Sequence, residues 1–368
     1  MPLLARFVTA PLVVDVRRGA LAELAKILAD QRISTSGRVA IAVGSTYGPI
    51  VQHTFEHDLV DADWFTVEGG TINTAIKLVE QVRKNRYDAV VGIGGGTVLD
   101  VTKFAAARLG LPMVAVATNL AHDGIGSPIS TLDNDAGRGS YGVPAPIAVL
   151  VDLDLVAQAP PRSIRSGIGE IVSNLSAVAD WEASHRLHGE EIDGLAISLA
   201  RTSANAVMNH PGGILDDNFL SALAEGLVLS GLSMVVAGTS RPSSGACHEV
   251  SHAIDLMHPD RRVYHGEQVG LGAAFAWFLR GDQQLFTATV DCLHRHGLPV
   301  RPVDLGFSLE EFAAIVDYAP QTRPGRFTIL EELGLSPAAI IAKVNEYNDH
   351  VFARINADGA VTPEGRLI

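Results

Sequence analysis

Five short, almost continuously apolar runs, separated by stretches of helical period, dominate the first 152 residues and leave few folds open to the chain. They are Arg38 to Val43, Asp63 to Val67, Asp88 to Ile93, Pro112 to Ala117 and Ile147 to Val151. A strand with one face in water alternates apolar and polar residues, so continuous runs indicate strands covered on both faces, as in a parallel sheet flanked by helices. Thr71 to Arg83 and Val98 to Arg108 carry the helical spacing and read as the crossovers of βαβ units. Met1 to Val14 is apolar but interrupted by Arg6 and Pro11; it has no cleavage pattern and no run long enough to span a bilayer, and reads as a first strand. After Pro160-Pro161 strand signals vanish and helical periodicity takes over. The expectation is an α/β chain: a parallel-sheet, Rossmann-like dinucleotide-binding domain over 1–158, an all-helical metal-binding domain over 159–368, and an active site in the interdomain cleft.

Composition narrows the partners. A chain of 368 residues with 47% hydrophobic content can bury a large core and divide into two domains. The net charge of -13 argues against nucleic acid and anionic membranes, which need a basic face, so a phosphorylated substrate would depend on local cations, helix N-termini or a metal. Two cysteines, Cys247 and Cys292, are too few for a disulfide framework or a thiolate metal site, which fits a reducing cytoplasm. The apolar helical half suggests a homodimer.

Three regions carry chemistry. Gly94-Gly95-Gly96-Thr97 follows the third apolar run and opens a helix, so that backbone N–H groups and the positive helix end could face a pyrophosphate. Thr97 stands where the usual Gly-x-Gly-x-x-Gly pattern has its third glycine, so the turn is either a dinucleotide site of another type or a plain tight turn. After the fourth run, Ala117 to Pro128 crowds small and polar residues at a strand's carboxyl end, with His122 and Asp123 as candidate contacts to substrate or nicotinamide, unless Asp123-Gly124 is simply a turn. In the helical half, His248 and His252 share a helix face and His265 opens a second helical pattern. With Glu170, read as standing at the start of a long helix that runs through Asp180-Trp181, His248 and His265 would make a catalytic site with an open fourth position; zinc suits it best, with nickel, iron or cobalt as alternatives. The bland readings are chance clustering among 13 histidines and, for Glu170, a carboxylate favouring a helix dipole.

Taken in order, these motifs resemble the glycerol-1-phosphate dehydrogenases, within the superfamily of metal-dependent alcohol dehydrogenases and dehydroquinate-synthase-like enzymes. The resemblance covers most of the chain and rests on Gly94 to Lys103, His122-Asp123-Gly124 with Ser127-Pro128, Gly167-Ile168-Gly169-Glu170 with Asp180-Trp181, Ser240-Arg241-Pro242 with Ser244-Gly245, His248 with Ser251-His252, His265 to Gly270, and Arg323 to Leu330. It implies metal ligands at Glu170, His248 and His265; cofactor contacts from Gly94, Gly95, Gly96, Thr97, Asp100, Thr118 and Ser127; substrate hydroxyls on Asp123; and His252 near the nicotinamide. Three positions depart from the family pattern. Glu170 replaces the usual aspartate, as in dehydroquinate synthases; Cys247 replaces a common glutamate; Ala121 replaces the serine before His-Asp-Gly.

The expected chemistry is reduction of a small ketone by NAD(P)H at a Lewis-acidic metal, with dihydroxyacetone phosphate the leading substrate and His252 or water relaying the proton. Lys103, Arg241, Arg323 and Arg326 are phosphate candidates by charge alone. The first core strand ends Val43-Gly44-Ser45-Thr46 without a carboxylate to grip a ribose hydroxyl, so NADP should be accepted as well as NAD. Two other classes stay open: a sugar-phosphate cyclase using NAD transiently, against which Ser173 stands where that class has lysine, and a non-catalytic nucleotide-binding protein.

Overall fold

The computed structural model of the chain describes residues 8–45, 48–55, 59, 61–135, 137–261 and 263–357. It forms two units: one takes residues up to Gly167 together with Asp193–Ser240, the other takes Ile168–Ile192 together with residues from Arg241 onward. The division therefore differs from a single cut at residue 158, because the helical segment 193–240 groups with the sheet.

The first unit contains β1 (Val13–Arg17), α1 (Leu24–Leu28), β2 (Val39–Gly44), α2 (Gly48–Thr54), β3 (Asp63–Val67), α3 (Ile72–Val82), β4 (Ala89–Gly94), α4 (Gly96–Leu109), β5 (Met113–Ala117), β6 (Ile129–Asn134), β7 (Gly137–Gly142), β8 (Ala148–Asp152) and α5 (Leu153–Val156). The helix α6 (Pro161–His188) begins in it, and α7 (Gly194–Met208) and α8 (Asp217–Ala237) complete it. Six strands pair in the order β1-β8-β5-β4-β2-β3, every pairing parallel. All residues of β4, β5 and β8 are buried, which is why their sequences never alternate. The chain leaves β2 toward β3 on one side and β4 toward β5 on the other, so β2 and β4 flank the switch point where open α/β sheets bind ligands outside the carboxyl ends. The glycine turn sits there.

The first strand needs correction. It is Val13–Arg17 rather than the segment ending at Val14, and residues 1–7 lie outside the described residues. Pro11 has no N–H for a ladder, and pairing begins just after it, where Leu12 N donates to Ile147 O at 2.7 Å. The β6–β7 hairpin was absent from the sequence reading. Its alternate burial and the positive φ of Gly137 (110°) are the signals that mark it.

The apolar helix α8 is long enough to cross a bilayer, but 67% of its apolar window is buried, and it serves as a core helix of this unit. It packs on α7, on β1 and on the short turn of helix at Asp123–Ile125. At that crossing a Cβ on Gly231 would come 2.4 Å from the Gly126 carbonyl carbon, so helix and turn meet backbone to backbone. That contact explains why 193–240 groups with the sheet.

The second unit is helical. After Ile168, α6 continues, followed by α9 (Ala246–Met257), α10 (His265–Arg280), α11 (Gln283–Arg295), α12 (Leu309–Tyr318), α13 (Ile329–Leu333) and α14 (Pro337–Ala357). Phe275, Phe312 and Tyr347 meet edge to face in its core, with ring centroids 5.3 and 5.6 Å apart around Phe275. Asp180 of α6, fully buried, joins three elements: it accepts from Ala246 N and Ile329 N, both at 2.8 Å, at the starts of α9 and α13, and it pairs with Arg280 of α10.

Candidate metal centre

Glu170, His248 and His265 come from α6, α9 and α10, and helix packing brings them together. A Cβ on Gly169 would lie 2.0 Å from Gly266 O, and one on Gly270 would lie 3.3 Å from Gly169 Cα. Only glycine lets α6 and α10 touch so closely, and that contact sets Glu170 beside His265. On the other flank a Cβ on Gly272 would meet Cys247 Cα at 2.9 Å, which draws α9 onto α10. Cys247 is thereby explained as a core residue, packed with Ala177, Val269 and Ala273. Burial pushes its thiol up to about 12, so it is an inert neutral group.

One ligand atom from each residue lies within 4.8 Å of the other two. Glu170 Oε1 is 3.9 Å from His248 Nε2, and Glu170 Oε2 is 3.5 Å from His265 Nε2. A tetrahedral zinc shell places neighbouring donors about 3.3 Å apart, so small side-chain adjustments close the set around one ion. Glu170 Oε2 is buried and accepts no hydrogen bond among the described residues. An uncompensated buried carboxylate oxygen is costly, and a cation is the partner that relieves it. Burial, then Arg323 and Arg326, push the His248 imidazole down to about 3, so it is neutral and can donate a lone pair. The donor set fits a divalent ion. Glu170 lies in the interior of α6, past its first turn, so the helix-dipole reading of this carboxylate falls away.

His252, one turn beyond His248, has its ring centroid 6.4 Å from that of His248 and takes a contact of 2.9 Å from Arg323 Nη2 at its Nε2. A guanidinium only donates, so this Nε2 accepts and the ring is neutral with its proton on Nδ1. The four cations singled out by charge separate sharply. Lys103 is fully buried, bonded to Ile129 O and 3.1 Å from Asp100, and Arg241 is held by Glu190, Phe327 O and Ser184. Arg323 reaches His252, and Arg326 donates to Ser244 O; these two are the ones whose charge is felt at His248. Glu249 beside them is buried, its carboxyl pushed up to about 8 by burial and then by Glu331 and Asp180.

In the first unit, Val98 of α4 packs so tightly on the ends of β2 and β4 that a Cβ on Gly94 would lie 2.7 Å from it. Gly95 and Gly96 are covered by Asn119 and His122: a Cβ on Gly96 would be 1.8 Å from His122 Nε2. His122 Nδ1 accepts from Gly124 N at 2.9 Å, so its Nε2–H is the edge presented to the turn. No side chain caps α4, whose first residues follow Gly95. Asp123, Thr118 and Ser127 are buried near this turn; Asp123 Oδ2 accepts from Ser230 Oγ of α8 at 3.0 Å. Asp100 Oδ1 is buried 3.1 Å from Lys103 Nζ and accepts no hydrogen bond among the described residues. Ser45 follows β2 with no carboxylate beside it, and Thr46 lies outside the described residues.

A parallel sheet with a glycine turn at its switch point and, in the helical unit, a carboxylate with two imidazoles are the parts that an enzyme holding a dinucleotide and a divalent metal requires. The profile of iron-containing alcohol dehydrogenases matches residues 15–160. Over 345 residues the chain is 34% identical to the glycerol-1-phosphate dehydrogenase [NAD(P)+] of Staphylothermus marinus, covering 92% of this chain and 97% of that one. With the enzyme of the same name from Hyperthermus butylicus it is 35% identical, covering 89% and 94%. The chain belongs to the iron-containing alcohol dehydrogenase family, in its glycerol-1-phosphate dehydrogenase branch. The fold matches a probable glycerol dehydrogenase from Sinorhizobium meliloti (TM-score 0.77, 19% identity, 95% of this chain and 99% of that one). It matches glycerol dehydrogenase from Schizosaccharomyces pombe equally well (TM-score 0.77, 20% identity, 99% and 95%).

Ser251 and Gln268 were quoted in the sequence motifs without a role, and Asp255 was missed. Ser251 lies three residues after His248 and Gln268 three after His265, a spacing that puts each on its ligand's helix face.

Proposed function

We propose that this chain reduces dihydroxyacetone phosphate to sn-glycerol 1-phosphate, taking hydride from NADPH or NADH. The observation that carries the reading is the convergence of Glu170, His248 and His265 in a chain that aligns with nearly the whole length of the glycerol-1-phosphate dehydrogenases. A divalent ion held by these three residues, zinc first, would supply Lewis acidity to the ketone. Glu170 sets the charge of the site, and neutral His248 and His265 complete it. Gly94, Gly95, Gly96 and Thr97 with the N-terminus of α4 take the pyrophosphate, Thr118 and Ser127 line the cofactor, and Asp123 contacts substrate hydroxyls. Asp100 contributes through Lys103 rather than by direct charge. The 2'-phosphate of NADP is accepted because no carboxylate follows β2.

His252 stands on the proton path. Its Nδ1–H is the exchangeable group, since Nε2 accepts from Arg323. Arg323, supported by Arg326, receives the substrate phosphate, because a guanidinium fork matches phosphate oxygens and these are the two cations whose charge is felt at the ligand His248. The enzyme works as a cytoplasmic homodimer. The test is oxidation of reduced nicotinamide, followed by its absorbance, with dihydroxyacetone phosphate and each cofactor. Turnover yielding sn-glycerol 1-phosphate is expected. Release of inorganic phosphate with no net cofactor oxidation would replace the reading with a cyclase.

A further inference from the structure

One chain of hydrogen bonds runs outward from the metal centre and ends on a carboxylate. Asp255 Oδ1 accepts from Gln268 Nε2 at 3.0 Å. Gln268 Oε1 accepts from Ser251 Oγ, and Ser251 Oγ lies 3.0 Å from His265 Nδ1. Ser251 and Gln268 are buried, which shields the middle link from water.

Each link dictates the next. An ionised carboxylate has no proton to give, so the amide nitrogen of Gln268, and not its oxygen, must face Asp255. The amide oxygen is then turned to Ser251, whose single hydroxyl proton goes to it. Ser251 has only lone pairs left for His265, so Nδ1 of that ring must carry the proton. A neutral imidazole protonated on Nδ1 has its lone pair on Nε2, the atom 3.5 Å from Glu170 Oε2. Reversing the first link reverses all: an amide oxygen facing position 255 would turn the nitrogen on Ser251, free the hydroxyl proton for Nδ1, and place the imidazole proton on Nε2, where it would block a metal.

We propose that Asp255 is a positioning residue which, through Gln268 and Ser251, holds His265 in the one tautomer able to bind a metal. The inference rests on reading Glu170, His248 and His265 as the metal centre. Asp255 touches neither metal nor substrate; its effect is on how often His265 is ready. Outer hydrogen-bond partners of metal-bound histidines typically change metal affinity by roughly 10-fold to 100-fold.

The test uses the full chain, metal-free and labelled with nitrogen-15 in its histidines. Two-bond nitrogen–proton correlations report the tautomer of His265, identified by the signals lost in His265→Ala. Zinc affinity is measured by chelator competition on the wild type, Asp255→Asn and Asp255→Glu. The wild type is expected to show the Nδ1–H form. Asp255→Asn, which can donate as well as accept, is expected to show mixed tautomers and zinc binding weaker by roughly 10-fold. Asp255→Glu, again acceptor-only, is expected to restore both. An Nε2–H ring in the wild type would overturn the proposal without any variant, and so would an Asp255→Asn protein with unchanged tautomer and unchanged affinity. A wild type that shows the expected tautomer but binds no zinc would instead overturn the metal reading.

Discussion

At the scale of single residues, the metal centre is three side chains, Glu170 of α6, His248 of α9 and His265 of α10, with ligand atoms within 4.8 Å of one another. His248 and His265 stood out because three histidines cluster within eighteen residues, Glu170 was added to them on the family resemblance, and the structure brings the three together. Cys247 was read only as a departure, because no one-dimensional pattern reveals that its neighbour across the helix crossing is Gly272. Buried there, with Cys292 also buried and its thiol pushed up to about 11, it is expected to resist alkylation in the native protein and to react once the chain is unfolded. Rapid native labelling of Cys247 would contradict that packing. Charge alone could not rank the four cations, since Lys103 and Arg241 look as available in sequence as Arg323. Their partners separate them. Arg323→Gln is expected to lower kcat/KM for dihydroxyacetone phosphate by roughly 10-fold to 100-fold, the worth of a hydrogen bond to a charged group. For unphosphorylated dihydroxyacetone the value should barely move, and an equal loss on both substrates would place Arg323 on His252 alone.

At the scale of elements, continuous apolar runs identified the strands β2, β3, β4, β5 and β8 to within a residue of their ends. The hairpin β6–β7 escaped because its second strand, Gly137–Gly142, is glycine-rich and mostly exposed, with no apolar face to read. Helix crossings were likewise hidden: glycines such as Gly169 and Gly266 acquire meaning only when the partner backbone is known. Gly169→Ala forces α6 from α10, because the new methyl would overlap Gly266 O, a backbone atom that cannot rotate away. The expected cost is on the order of 1–3 kcal/mol in thermal or denaturant unfolding, with weaker zinc binding as Glu170 moves off His265. Full retention of both would contradict the crossing. Another device joins loop to strand. Asp88, just before β4, accepts from Ser34 Oγ and from both the amide and the hydroxyl of Ser36, and these bonds hold its carboxyl down at about 2. A depressed carboxyl contributes stability above its ordinary value near 3.8 and loses it as pH falls through about 2. Asp88→Asn is therefore expected to cost about 1 kcal/mol near neutral pH and progressively less in acid as pH approaches 2, measured by urea unfolding.

At the scale of the whole molecule, the order of elements was readable as a parallel sheet followed by helices, but the grouping of 193–240 with the sheet was not. That grouping depends on α8, apolar on nearly every side, and on its close contact at Gly126 and Gly231. Asp180 plays the matching part in the helical unit, since one buried carboxylate satisfies the starts of α9 and α13 and faces Arg280. Asp180→Asn leaves that largely enclosed guanidinium without its counter-charge and is expected to cost about 3 kcal/mol and to disorder the start of the helix bearing His248.

The proposed chemistry stands or falls on the metal. The most direct measurement is the divalent metal content of the dialysed full chain by elemental analysis, with wild type and His265→Ala compared alongside turnover of dihydroxyacetone phosphate. One ion per chain and activity in the wild type, with both lost in His265→Ala, is the expected result. A wild type that is active without metal, or a His265→Ala protein that keeps both, would contradict the assignment of Glu170, His248 and His265.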